Sequence, residues 1–90
     1  MGSNRDRRID GLHDRLWSAG ISAYRHTASP DRPAGLTIPL DRSARALVIW
    51  PSGYPRWTFF QVAPESVDER EQDLVSLIRS FGPRVRDEAA

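Results

Sequence analysis

The chain has 90 residues, 39% of them apolar, no cysteine and a formal net charge of +1, which suits one small domain and excludes disulfides, thiolate metal sites and a cysteine nucleophile. All 13 basic residues are arginine and none is lysine, so Schiff-base chemistry and a phosphate-loop lysine are excluded too. No stretch approaches the roughly 18 apolar residues of a membrane span, and no apolar run follows the basic N-terminus as in a signal peptide, so a soluble, cytoplasmic protein is the expectation.

From Asn4 onward, Ile9, Leu12, Leu16 and Trp17 recur at helical spacing with charged residues between them. The spacing predicts a helix over about 5–19, capped by Asn4 or Asp6 and stopped at Gly20, which can adopt a left-handed conformation without steric cost. Gly11 inside it costs roughly 1 kcal/mol against alanine. After Gly20, Ile21, Ala23 and Arg25 alternate with Ser22, Tyr24 and His26, the period of a half-exposed strand. A loop over 28–35 holds Pro30, Pro33 and Gly35. Leu36, Ile38 and Leu40 then alternate with Thr37 and Pro39, a short strand whose proline puts it at a sheet edge or ends it early. Positions 41–44 turn the chain into its most apolar segment.

That segment, RALVIWPSGYPRWTFFQVAP over 45–64, reads as a β-hairpin with strands Ala46 to Trp50 and Trp57 to Val62. Pro51 and Pro55 keep the strands from pairing closer to the tip, and Gly53 supplies a turn conformation. A five-residue loop pairs Trp50 with Arg56. It places Leu47, Ile49, Trp57 and Phe59 on one face, the expected core, and Ala46, Val48, Trp50, Thr58 and Phe60 on the other. An even-numbered loop would instead gather Val48, Trp50, Trp57 and Phe59 on one side.

Ser66-Val67-Asp68-Glu69 fits a capping box, which predicts a second helix running from there to Phe81. Val67, Leu74, Ile78 and Phe81 form its buried stripe, Val75 and Leu77 flank it, and Gly82-Pro83 ends it. Residues 84–90 are expected to be a frayed tail and residues 1–4 disordered. The predicted fold is a small two-layer α+β domain over 1–83, in the order α-β-β-β-(β)-α. Its sheet is an antiparallel meander, with the N-terminal and C-terminal helices packed on one face.

Without the Ile21 strand the order would be α-β-β-β-α, which resembles the double-stranded RNA-binding domain in topology alone. That resemblance implies a basic start to the second helix. This chain has Glu65, Asp68, Glu69 and Glu71 there, which would repel phosphates.

Charge divides along the chain: residues 21–63 hold five arginines against two aspartates, and residues 64–90 hold four arginines against seven acids. The arginines do not form one run, so the arginine-rich composition fits a GC-rich coding sequence better than selection for guanidinium chemistry. His13 and His26 are the only histidines, and no spacing joins them to each other or to a catalytic fingerprint, so no catalytic residue, metal site or cofactor is expected. The candidate binding residues are Trp50, Tyr54, Arg56 and Phe60, with Arg45 and Arg25. They are chosen because the hairpin has large apolar groups on both faces while two helices can cover one. The expected function is a non-enzymatic protein-binding or regulatory module, self-associating or with another protein as partner. The alternative is contact with single-stranded nucleic acid, rings stacking on bases and arginines meeting phosphates. A small enzyme with a site between subunits is the third reading.

Overall fold

The computed structural model describes residues 4–41 and 45–85. Seven elements follow one another: α1 (Asn4–Ser18), β1 (Tyr24–His26), β2 (Gly35–Pro39), β3 (Ala46–Pro51), β4 (Arg56–Phe60), β5 (Pro64–Asp68) and α2 (Leu74–Ser80). The five strands form one antiparallel sheet in the order β1-β2-β3-β4-β5. Every connection joins spatial neighbours, as short links between antiparallel strands require. The result is a small α+β domain.

α1 forms where its apolar spacing predicts it. Ile9, Leu12 and Leu16 are buried, and Gly20 ends the helix with a φ of +79°. There the Gly20 N–H donates to the Trp17 carbonyl and the Ile21 N–H to the Leu16 carbonyl, at 3.0 and 2.9 Å, the paired closure of a Schellman ending. Asn4 is the first residue of the helix; the expectations for residues 1–3 and 86–90 lie outside the described residues. Arg84 and Val85, expected to begin a frayed tail, are tied to the fold. Arg84 exchanges backbone hydrogen bonds with Ser22 and Pro39, and Val85 bridges Ile21.

The strand predicted from Ile21 begins at Tyr24, while Ile21 and Ala23 turn into the core. Pro39 closes β2, which is an interior strand and not an edge. β1 reaches only as far as the Tyr24–Thr37 pair; beyond it the residues around Pro83 take over that side, with the Arg84 N–H donating to the Pro39 carbonyl at 2.9 Å and Leu40 bridging Pro83.

In the hairpin the predicted division of faces holds, but the pairing is shifted by two residues. Trp50 faces Thr58 and Pro51 faces Trp57, not Trp50 facing Arg56. Pro51 therefore belongs to β3, and the turn tightens to Gly53-Tyr54-Pro55 between the Ser52 N–H and the Arg56 carbonyl, 3.0 Å apart. A shift of two leaves each side chain on its own face, because the period is two. Leu47, Ile49, Trp57 and Phe59 are all at most 5% exposed.

The capping box at Ser66 is the expectation that fails. Pro64–Asp68 is β5, paired along β4 from Arg56↔Asp68 to Phe60↔Pro64. Val67, opposite Trp57, packs against the core. Local chemistry favoured a helix start, but β4 offered a row of unpaired backbone donors and acceptors that a fifth strand could satisfy. The helix is capped later, by Asp73: its carboxylate accepts from the Val75 N–H and the Ser76 hydroxyl, both at 3.0 Å. α2 has seven residues and ends, as predicted, at Gly82, with a φ of +72°.

α1 and α2 share one side of the sheet. Between them lie Leu36, Ile38, Leu47, Ile49, Trp57 and Phe59, together with Ile9, Leu12, Leu16, Leu74 and Ile78. Each large side chain buried here contributes about 1.5–3 kcal/mol relative to exposure.

Candidate functional site

Of the concave regions in this arrangement, two hold sequence-predicted binding residues, on opposite sides of the sheet. The first is on the outer face. Residues paired across strands point the same way, so Tyr24, Thr37, Val48 and Phe60 form one outer row, and Trp50, Thr58 and Ser66 extend the next. The first row and Trp50 are largely apolar. Further along, Thr58 bonds to the Ser52 hydroxyl at 3.1 Å, and Arg56 faces Asp68, so the outer face becomes polar towards the hairpin tip.

A loop partly roofs the apolar end. Ser29 and Arg32 exchange backbone hydrogen bonds at 2.8 and 3.3 Å, forming a tight turn, and His26 holds it down. His26 Nε2–H donates to the Pro33 carbonyl at 3.1 Å, which in the neutral ring leaves Nδ1 to accept from the Thr37 hydroxyl at 2.9 Å. Between this loop and the sheet lies a cleft of about 270 Å³ lined by Asp31, Arg32, Trp50 and Phe60. Val48 is 6% exposed, Phe60 40% and Tyr24 59%. Gly35 permits the sheet to close beneath Trp50, since a Cβ there would lie 2.2 Å from the Ile49 carbonyl oxygen.

The second region lies on the helix side, where α1, the hairpin tip and the link from β5 to α2 meet. Arg8 dominates it. Its guanidinium lies 5.1 Å from the Trp57 ring centroid and 5.5 Å from that of Tyr54, cation–π distances. It donates to the Ser52 carbonyl at 2.8 Å and the Arg56 carbonyl at 2.9 Å, and it pairs with Glu69 at 3.5 Å. Glu69 also accepts from Trp57 Nε1–H. Arg8 thus joins three elements that are distant in sequence, and its charge is offset by a carboxylate, two carbonyls and two π-faces. Beside it opens a cleft of about 460 Å³ whose wall continues through Gly11, Leu12 and Arg15 of α1 to Tyr54, Glu69 and Arg70.

The structure separates the sequence-predicted binding residues. Trp50 and Phe60 share the outer cleft, where Arg32 is the adjacent cation. Arg56 is on the outer face nearer the tip, opposite Asp68. Tyr54, 66% exposed, belongs to the helix-side cleft, under Arg8. Arg45 precedes β3, at the end of the hairpin away from its tip. Arg25 corrects the prediction most plainly: it points to the helix side, bound to Asp6 at 2.8 Å and to Asp10, because it pairs with the inward residue Leu36. Residues absent from the sequence-predicted set contribute: Arg8, Arg15 and Arg70 at the helix-side cleft, and Asp31 and Arg32 at the outer one. Arg8 was detectable only as a cation one turn before Leu12 on the flank of the apolar stripe.

His13 and His26 lie on different sides of the sheet. His13 stacks on Trp17, with ring centroids 5.8 Å apart, and its Nε2 meets the Ala23 carbonyl at 3.1 Å. Among the described residues no three histidine or acidic side chains converge as metal ligands, and no helix is long and apolar enough to cross a membrane. No family model, curated protein or solved structure matches the chain.

Proposed function

We propose that this domain is a non-enzymatic protein-binding module that uses its outer sheet face, most directly to meet a second copy of itself. One observation carries the reading. Trp50 and Phe60 border a cleft of about 270 Å³ shielded, among the described residues, by the Asp31–Arg32 loop, while both helices are committed to the other face. An apolar side chain from a partner would extend the row of Tyr24, Val48 and Phe60, and the polar strip at Thr58 and Ser66 would form a rim. The flanking Asp31 and Arg32 carry opposite charges, which suits an isologous contact, where each residue type can meet its opposite across a twofold axis. The same surface offers single-stranded nucleic acid less. Stacking rings are present, but Arg25 is bound to Asp6 and Asp10 on the far side.

Sedimentation across a micromolar to millimolar range tests the proposal, using the wild type and Phe60→Asp. The expected result is a concentration-dependent dimer that Phe60→Asp abolishes with its fold intact by circular dichroism. A wild type that stays monomeric throughout overturns self-association. Quenching of the tryptophans by a single-stranded oligonucleotide, with salt-dependent affinity, would favour the nucleic-acid reading instead.

A further inference from the structure

We propose that the helix-side cleft is a binding site for a small anionic ligand with a planar ring, the anion held between Arg15 and Arg70 and the ring laid against Tyr54. The cleft, of about 460 Å³, is in the size range of small-molecule pockets. Its lining holds three arginines, Arg8, Arg15 and Arg70, against the single carboxylate of Glu69, in a chain whose overall charge is only +1.

These arginines differ in how far the protein already uses them. Arg8 is spent on the hairpin carbonyls and Glu69, yet its Nε is buried with no acceptor among the described residues, an uncommon state for a buried donor. Arg70 has a long contact to Asp68, 3.7 Å. Arg15 is exposed and feels Asp73 electrostatically, but among the described residues it has no ion pair within 4.0 Å. Two guanidiniums thus stand at the rim with most of their donors open, the fork geometry that phosphates and carboxylates match.

Gly11 supplies an independent indication. It lies between Arg8 and Arg15 along one flank of α1, where glycine weakens a helix. Nothing in the fold demands glycine there: a Cβ would meet no atom within 4 Å, and its φ is not in the left-handed region. The missing side chain instead leaves helix backbone bare on the cleft wall, which lets a ligand approach closely. Tyr54, 66% exposed, presents the ring surface, and Arg8 against one side of the ring fixes the tip that carries it.

The test is titration of the full chain, followed by amide chemical shifts, with adenosine 5′-monophosphate, indole-3-acetate, adenosine and inorganic phosphate. The two ring-bearing anions separate a phosphate ligand from a carboxylate one. At least one of them should give saturable shifts centred on Gly11, Arg15, Tyr54 and Arg70, with adenosine and inorganic phosphate each at least tenfold weaker. Gly11→Ala should raise the thermal midpoint and still weaken binding by about tenfold, a combination that general destabilisation cannot produce. Arg15→Gln with Arg70→Gln should abolish it. The proposal is overturned if neither ring-bearing anion shifts these amides at millimolar concentration, or if binding is indifferent to Gly11→Ala and to the paired arginine variants.

Discussion

On the helix side of the sheet Leu36, Ile38, Leu47, Ile49 and Trp57 are at most 1% exposed, whereas on the outer side Tyr24 is 59% and Phe60 40% exposed near the Asp31–Arg32 loop. Both sets belong to one sheet, and Trp57 and Phe60 even share β4, since successive residues alternate between faces. Apolar content in one strand is thus divided between an enclosed face and a partly open one. Ile49 and Phe59 are directly paired and belong to the buried core, while their neighbours Trp50 and Phe60, one residue along, face the outer side.

Truncation of one side chain from each face gives the largest expected difference between them. Ile49→Ala should lower unfolding stability by about 2–5 kcal/mol through lost burial and a residual cavity, while Phe60→Ala should cost less than about 1 kcal/mol, as at a half-open site. Urea denaturation of both variants measures this, and equal losses would mean that the outer face is enclosed as well as the core. A smaller effect tests how the two faces share one backbone. Gly35→Ala places a Cβ against the Ile49 carbonyl and 2.9 Å from the Trp50 Cβ, so it should cost about 1–3 kcal/mol by forcing β2 from β3, with Trp50 fluorescence altered. An unchanged midpoint would show that the strands separate freely there.

The smallest effect concerns the helix-side cover. The hydrogen bond from the Ser76 hydroxyl, then that from the Val75 N–H, hold the Asp73 carboxyl below its ordinary pKa. A carboxyl depressed in the folded state stabilises above its unfolded pKa, and that contribution is lost as pH falls through the folded value. Asp73→Ala should therefore lower the thermal midpoint at neutral pH, and the difference from wild type should shrink once the pH drops below the carboxylate range. A difference independent of pH would assign the cap's effect to something other than the ionised carboxylate.

Much of this was legible from local pattern. Three of the four apolar positions expected along α1, Ile9, Leu12 and Leu16 but not the 42%-exposed Trp17, the stops at Gly20 and Gly82, and the inward set Leu47, Ile49, Trp57 and Phe59 all follow from periods and turn chemistry that act within a few residues. The Ser66–Glu69 motif was misleading because its residues serve two local patterns equally well, and the open edge of β4 chose between them. Asp73 with Ser76 is a cap signal that the sequence does contain, overshadowed by the earlier motif.

Sequence by itself determined the α+β class, the extent of α1, the meander and which hairpin residues face inward, because helix and strand periods are properties of the chain next to itself. Tertiary structure alone decided the fifth strand, the two-residue shift of the hairpin, the loop over Trp50 and the seating of Arg8 between Trp57 and Tyr54. Those outcomes depend on partners as far as 48 positions away, and no local preference encodes which distant backbone or ring will be within reach.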